Sequence, residues 1–281
     1  MSMKRLADVG AFALAALAVA PGAALAENTT CVNANFLMAG QVKLDAITDT
    51  TGQWYKFRMA PGRSYSLMVW APSTDQSENT VNLFLSPFLK DDCVTPAVGA
   101  LDTSEAEGSP RAGSYIGYNE QFMPDPLDCL LADGCDYRVL ASGSGLTPAT
   151  GISIQVLLVE TTLYIPYWQV VTAAGYDAAP QIRNGNGGDT ARVLFTAENA
   201  AGTTLCTVDM GVFAGVEIPA NGMTSFGLAG TCGITSGFGA ARIAHLLPPG
   251  YLSANITTFS ANSGLSFDAP AYPRMYWSGA H

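Results

Sequence analysis

Histidine is nearly absent from this sequence. The 281 residues include two histidines, His245 and His281, and no serine lies in a G-x-S-x-G pattern. Nucleophilic catalysis by serine or cysteine needs a base within hydrogen-bonding distance. His245 lies in the predicted strand AARIAHLL and shares a strand face with Ile243, which favours a packed, structural histidine. We therefore predict no catalytic residue and no enzymatic activity.

Positive charge is also scarce. Lys and Arg number 13 against 23 Asp and Glu, and the net charge is −10 at pH 7. Nucleic-acid binding requires clustered Lys and Arg that contact phosphates, so the composition argues against a nucleic-acid partner. The acidity is typical of an exported protein that has to remain soluble.

Long hydrophobic runs are missing after the amino-terminal region. The apolar run at 11–20 follows Lys4 and Arg5, precedes Ala24-Leu25-Ala26, and is shorter than the roughly 20 residues that span a bilayer. This order is typical of a bacterial secretory signal peptide; the alternative is an uncleaved anchor. We predict that residues 1–26 are removed on export to the periplasm, the cell surface or the medium. The mature chain, without a transmembrane segment, then carries a net charge of −11, because the removed residues contribute +1.

The cysteines do not form a metal-binding pattern. No C-x-x-C is present, and an even number of cysteines in an exported chain indicates disulfides. Cys129 and Cys135 flank a tight Asp-Gly turn and are predicted to pair, which leaves Cys31 for Cys93, although four cysteines allow three connectivities. Two remain in the second half, Cys206 and Cys232, and we expect them to pair. No metal and no cofactor are predicted.

Alternating apolar residues predict strands throughout the chain. Tyr55, Phe57 and Met59 alternate with mixed residues, Pro61-Gly62 has the form of a type II turn, and alternation resumes at 65–69 and 81–85. We expect these three strands to be neighbours in one half-buried antiparallel sheet. The region from Ser86 to Asp136 is predicted to be irregular, and strands resume at 137–140 and 152–158.

The second half shows the same strand-and-turn pattern. Pro166 predicts that the run starting at Leu163 is an edge strand or the start of a strand. The segment 184–189, NGNGGD, has oxygen ligands that suit calcium but no closing Glu, and we interpret it as a flexible hairpin tip. The predicted fold is all-β, with a signal peptide at 1–26 and two antiparallel β-sandwich domains of jelly-roll or immunoglobulin-like type in tandem at 27–160 and 161–281.

Residues 38–160 resemble the bacterial pre-peptidase C-terminal type domain, a small exported β-sandwich. The matching segments are Trp54–Phe57 before Pro61-Gly62, Tyr65–Leu67, Val81–Leu85, Asp136–Val139 and Ile152–Val156. The resemblance implies a non-catalytic domain that accompanies exported enzymes. Residues 161–281 weakly resemble β-sandwich domains of exported bacterial proteins of unassigned role, through segments such as Tyr164–Tyr167, Pro219–Gly222 and Gly250–Ala254.

The predicted function is non-catalytic binding or a structural role at the cell surface. The expected partner is a protein or a glycan, and edge strands allow a homo-oligomer. One alternative is carbohydrate recognition, with ligand-stacking aromatic residues at Trp54, Trp70, Tyr115 and Tyr118. A further alternative is a secreted hydrolase that uses the loop carboxylates Glu105, Glu107, Asp125 and Asp128.

Overall fold

The computed structural model describes residues 28–48, 51–72, 82–89, 93–94, 101–102, 117–123, 134–144, 152–210, 217–247 and 249–273. Nearly all of these residues are in or between β-strands, which confirms the all-β fold class. The predicted signal peptide lies outside the described residues. Within them, no helix has the length and hydropathy needed to cross a membrane.

The strands of the described residues are numbered in chain order. The first half contains β1 (Asn35–Phe36), β2 (Val42–Ile47), β3 (Gln53–Met59), β4 (Tyr65–Pro72), β5 (Asn82–Leu89), β6 (Leu101–Asp102), β7 (Gly117–Met123), β8 (Cys135–Ser144) and β9 (Ile152–Glu160). The second half contains β10 (Leu163–Val171), β11 (Tyr176–Asn184), β12 (Val193–Asn199), β13 (Thr204–Asp209), β14 (Met223–Ser225), the short helix α1 (Leu228–Cys232), β15 (Ser236–His245), β16 (Leu252–Ser260), β17 (Ser266–Pro270) and β18 (Tyr272–Pro273).

The first half is a sandwich of two sheets, with strand orders β1-β3-β8-β5 and β2-β9-β4-β7-β6. The predicted alternation is confirmed in β3, where Tyr55, Phe57 and Met59 are all fully buried. Phe57 stacks on Tyr137 of β8 with ring centroids 5.6 Å apart. Leu67 and the other buried apolar side chains of β4 and β9 belong to the same hydrophobic cluster, so the two sheets share one core.

The expectation that β3 and β4 are neighbours in one sheet is wrong. The chain makes the predicted turn, because the amide of Arg63 donates to the carbonyl of Ala60 at 3.3 Å and Gly62 has φ 61°. That turn crosses from one sheet to the other, however, and β3 pairs with β8 while β4 pairs with β9 and β7. Alternation determines which face of a strand is buried, but it does not determine which strand lies beside it.

Replacing Gly62 with alanine is expected to lower the free energy of unfolding by about 1 kcal/mol, because an L-residue disfavours the left-handed backbone at this turn. A Cβ there meets nothing closer than the Arg242 guanidinium at 3.4 Å, so the cost arises from the backbone. Urea denaturation measures it. The matched control is Gly230→Ala, which lies in α1 with nothing within 4 Å of the new Cβ and is expected to be neutral or slightly stabilising. Equal effects for the two variants would contradict this account.

The second half contains one sheet of nine strands, in the order β13-β12-β15-β10-β11-β16-β17, with β14 beside β11 and β18 beside β10. Strands β10 and β11 are joined through one residue pair, Val171 and Tyr176. The sheet folds over at this point, because β10 also contacts β16 and β17. Trp168, Phe195 and Ile256 belong to the apolar cluster of this half and are fully buried.

The buried apolar residues form two separate hydrophobic clusters. Residues 37–158 supply the first cluster, and residues 163–269 supply the second. The division into independent domains at residues 160–161 stays a prediction.

Three sequence predictions about local structure are wrong. Strand β10 is not an edge strand, because it lies between β15 and β11, and Pro166 is accommodated where the β10–β15 register shifts between Ile165 and Trp168. Such a bulge tolerates the missing N–H of proline.

The region from 86 to 136 is not wholly irregular, since it contains β6 and β7. Its segment GYNEQFM lacks the clear alternation that identifies a strand.

The third wrong prediction concerns the segment 184–189, which is not a hairpin tip. Strands β11 and β12 have different partners and do not pair with each other. The buried side chain of Asn184 organises the connection, since its Nδ2 donates to the carbonyls of Asp189 at 2.8 Å and of Ile218 and Pro219 at 3.2 Å. Asn186 bonds the Asp189 carboxylate at 2.8 Å. Polar side chains that look like ligands in the sequence therefore stabilise the loop.

Disulfides join distant segments in both halves. Cys31 is bonded to Cys93, and Cys206 is bonded to Cys232, as predicted. The second bond connects β13 with the end of α1. Cys135 is also disulfide-bonded, while its predicted partner Cys129 lies outside the described residues.

Candidate functional site

His245 is a buried structural residue at the end of β15. It is only 2% exposed. Nε2 lies 3.0 Å from the carbonyl oxygen of Thr161, and Nδ1 accepts the amide N–H of Leu247 at 3.2 Å. Because Nδ1 accepts, the ring proton is on Nε2 and is donated to Thr161. Burial lowers the pKa of His245 to about 4, so the ring is neutral at pH 7 and both nitrogens are already bonded. The prediction of a packed histidine is confirmed.

A serine and a carboxylate lie close to His245 without forming a triad. The hydroxyl of Thr161 donates to Ser64 Oγ at 2.8 Å, and the amide of Ser64 donates to the hydroxyl of Thr162 at 2.9 Å. Glu160 accepts the hydroxyl of Tyr164 at 2.5 Å. Ser64 and Glu160 thus bond Thr161, Thr162 and Tyr164, at the connection between β9 and β10, and neither is shown bonded to His245. A triad requires the serine, the histidine and the acid to bond one another.

Glu160 carries a buried negative charge at this connection, with only 1% of its side chain exposed. The guanidinium of Arg63 lies 3.6 Å from it and 5.9 Å above the ring of Tyr164. A buried carboxylate needs such partners because desolvation disfavours its charge. The connection Thr161-Thr162 is itself bonded to Ser64, which precedes β4, and to His245 of β15.

Three of the four residues predicted to stack on a ligand lie in described strands of the first half. Trp54 lies half-buried in β3, and Asn28 bonds its backbone at both the amide and the carbonyl. Trp70 lies within β4, in the facing sheet, paired with Asn119 and Gln155. Tyr118 lies in β7, opposite Ala71. Tyr115 is outside the described residues, as are the carboxylates Glu105, Glu107, Asp125 and Asp128. The ligand-stacking and hydrolase roles stay predictions.

Four aromatic residues, three exposed and one half-buried, lie on β10, β17 and β18. Tyr167 and Phe267 have ring centroids 5.6 Å apart and are 36% and 44% exposed. Tyr272 is 56% exposed and pairs with Tyr164 in the β10–β18 register. We call these four residues the aromatic seam. The bulge at Pro166 explains why Tyr167 is exposed while its neighbour Trp168 remains in the core. Tyr167 donates its hydroxyl to Gln169 at 2.9 Å.

A connected row of polar side chains crosses the outer face of β11, β16 and β17. Thr257 is its centre and donates its hydroxyl to Asp268 at 2.5 Å. It accepts the side-chain amides of Gln181 at 3.2 Å and Asn255 at 3.3 Å. Asn255 also donates to Asp268 at 3.4 Å. We call these four residues the polar row.

Neither surface is predicted from the sequence. Tyr167 and Phe267 are far apart in the chain, and only the fold brings them together. The alternation of Asn255, Ile256, Thr257 and Thr258 does show a polar face, but the neighbours of that face on β11 and β17 follow from strand order. The described residues contain no group of three or more His, Cys, Asp or Glu side chains arranged to hold a metal ion.

Comparison with known proteins gives no family assignment. No protein-family model matches the chain, and no characterised protein has significant sequence similarity to it. The resemblance of residues 38–160 to pre-peptidase C-terminal domains stays a prediction.

Proposed function

We propose that this chain is an exported, non-catalytic binding protein that holds a protein or glycan partner outside the cytoplasm. The observation that carries the proposal is the aromatic seam. Large aromatic side chains are normally buried, and exposed rings in contact with each other, such as those of Tyr167 and Phe267, are typical of interaction sites. Strands hold these rings in place, so little conformational entropy is lost when a partner binds.

The disulfides support the export part of the proposal. Bonds such as Cys31–Cys93 and Cys206–Cys232 form and persist mainly in oxidising compartments. The predicted signal peptide supports the same localisation. The non-catalytic part is supported by His245, whose ring nitrogens are both bonded to the main chain.

The proposal predicts that disrupting the seam weakens binding to the cell envelope. We expect the double variant Tyr167→Ser, Phe267→Ser to bind an isolated envelope fraction at least about tenfold more weakly than the wild-type mature protein, because two exposed aromatic rings leave the contact. Binding of the labelled protein in a sedimentation assay measures the effect.

The matched control is Leu205→Ser. Leu205 is 44% exposed, like Phe267, and lies on β13 at the other end of the strand order. This variant is expected to bind like the wild type. If the seam variant retains wild-type binding, or if the wild type does not bind the envelope at all, the proposal is wrong.

Carbohydrate recognition is the second candidate function, and the polar row favours it. Amide, hydroxyl and carboxylate groups held on one face of a sheet suit a ligand with many hydroxyls. The hydrolase alternative depends on carboxylates outside the described residues and gains no support from the aromatic seam or the polar row.

A further inference from the structure

We propose that the polar row, together with Phe259, is a binding platform for neutral saccharides. This inference rests on the proposed binding function and names a class of ligand for it. It uses a surface distinct from the aromatic seam and from the aromatic residues predicted from the sequence.

The polar row is preorganised by its internal hydrogen bonds. Thr257 donates one bond and accepts two, which uses the capacity of its hydroxyl. Both amide hydrogens of Asn255 are directed within the row, toward Thr257 and Asp268. The side chains are therefore held in place before a ligand arrives, which lowers the entropic cost of binding.

The unused capacity of the row consists mainly of acceptors. Within the described part of the chain, Gln181 Oε1, Asn255 Oδ1 and Asp268 Oδ2 have no protein donor. One N–H of Gln181 is the remaining donor. Three outward acceptors and one donor complement a ligand with several adjacent O–H groups.

An apolar surface lies next to the row on the same face. Ile256 and Thr258 are buried, so the alternating residues Asn255, Thr257 and Phe259 all face outward. Phe259 is 37% exposed. Residues two apart along a strand are separated by about 7 Å, which is close to the width of one sugar ring. A pyranose stacked on Phe259 thus places its hydroxyls over Thr257 and Asp268.

Charge restricts the ligand class further. The row carries the carboxylate of Asp268, and two further charged residues lie beside it on this face: acidic Asp177, opposite Phe259, and basic Arg183, two positions after Gln181. Acidic groups therefore outnumber basic ones here, and the whole chain has a net charge of −10. Anionic glycans are repelled by such a surface. The combination of acceptors, an exposed ring and negative charge selects a neutral saccharide.

The experiment measures binding of the full mature protein to immobilised gluco-, galacto- and manno-hexasaccharides and to a uronic-acid hexasaccharide. We expect at least one neutral hexasaccharide to bind more tightly than the uronic acid. Asn255→Leu and Phe259→Ala are expected to weaken that binding roughly tenfold or more. Asp268→Asn, which keeps the shape of the side chain, is expected to weaken it by a smaller factor.

The matched control is Asn33→Leu, at an exposed asparagine of the first half, and it is expected to bind like the wild type. Melting curves establish that each variant is folded, and Asp268→Asn serves if a larger change does not fold. Absence of neutral-glycan binding, or row variants that bind like the wild type, would overturn the inference. If envelope binding through the seam persists in that case, the proposed function stands; if it is also absent, both proposals fail.

Discussion

Replacing Trp168 with alanine is expected to lower the free energy of unfolding by about 4 kcal/mol, because removal of a buried tryptophan loses its transfer free energy and leaves a cavity. Trp168 is the largest of the fully buried side chains among the described residues. Its indole N–H donates to the carbonyl of Ala240 at 2.8 Å, so the variant also loses this hydrogen bond. Urea denaturation followed by circular dichroism measures the change.

Trp54→Ala is the matched control. Trp54 is half-buried on the outer face of β3, and its loss is expected to cost about 1 kcal/mol from the smaller area involved. If the two variants are destabilised equally, Trp168 does not occupy the centre of the second hydrophobic cluster.

Acidification is expected to remove about 3 kcal/mol of stability through His245. The pKa of this histidine is about 4 in the folded protein, mainly because burial disfavours the charged ring, against about 6.5 in the unfolded chain. Between these two values the unfolded state binds more protons than the folded state. Stability therefore rises with pH in this window. The contribution is fully present above about pH 6.5 and is lost as the pH falls to about 4.

The measurement is the free energy of unfolding in urea at several pH values from neutral down to the folded-state pKa of His245. His245→Gln, which keeps a polar side chain but does not titrate, is expected to show a smaller decrease over the same range, even if it is less stable at neutral pH. His281 is present in both proteins and cancels from the comparison. Parallel pH curves for the two proteins would contradict the role assigned to His245.

Sequence alternation predicts the strands well because it reports burial directly. Tyr55, Phe57 and Met59 alternate in the sequence, and all three are fully buried. Turn chemistry is equally local, and Gly62 adopts the positive φ that its turn requires. The paired cysteines could also be predicted, because few pairings remain once the chain is divided at its apparent boundary.

Strand neighbours could not be predicted in the same way. Pro166 excludes an ordinary position in a central strand, but a bulge satisfies that restriction as well as a sheet edge does. The sequence does not distinguish these two solutions. Asn184 is ambiguous in a different way. Its side-chain oxygen could bind a metal ion, and its side-chain amide could donate to backbone carbonyls, as it does here.

The candidate surfaces were beyond sequence analysis for a related reason. Trp54 and Trp70 attract attention as ligand-stacking residues, whereas exposure depends on the neighbouring strands. Tyr167 is exposed because a bulge precedes it, and Phe267 contacts it because the sheet folds over at Val171 and Tyr176. None of these conditions is visible from residue type.

The short connection between β9 and β10 has a mechanical consequence. Thr161 and Thr162 are buried and are bonded to Ser64 on one side and His245 on the other. Bending at this point breaks several hydrogen bonds at once, so the connection resists rotation about its torsion angles. A force applied to one half is therefore transmitted to the other through several hydrogen bonds that bear it together.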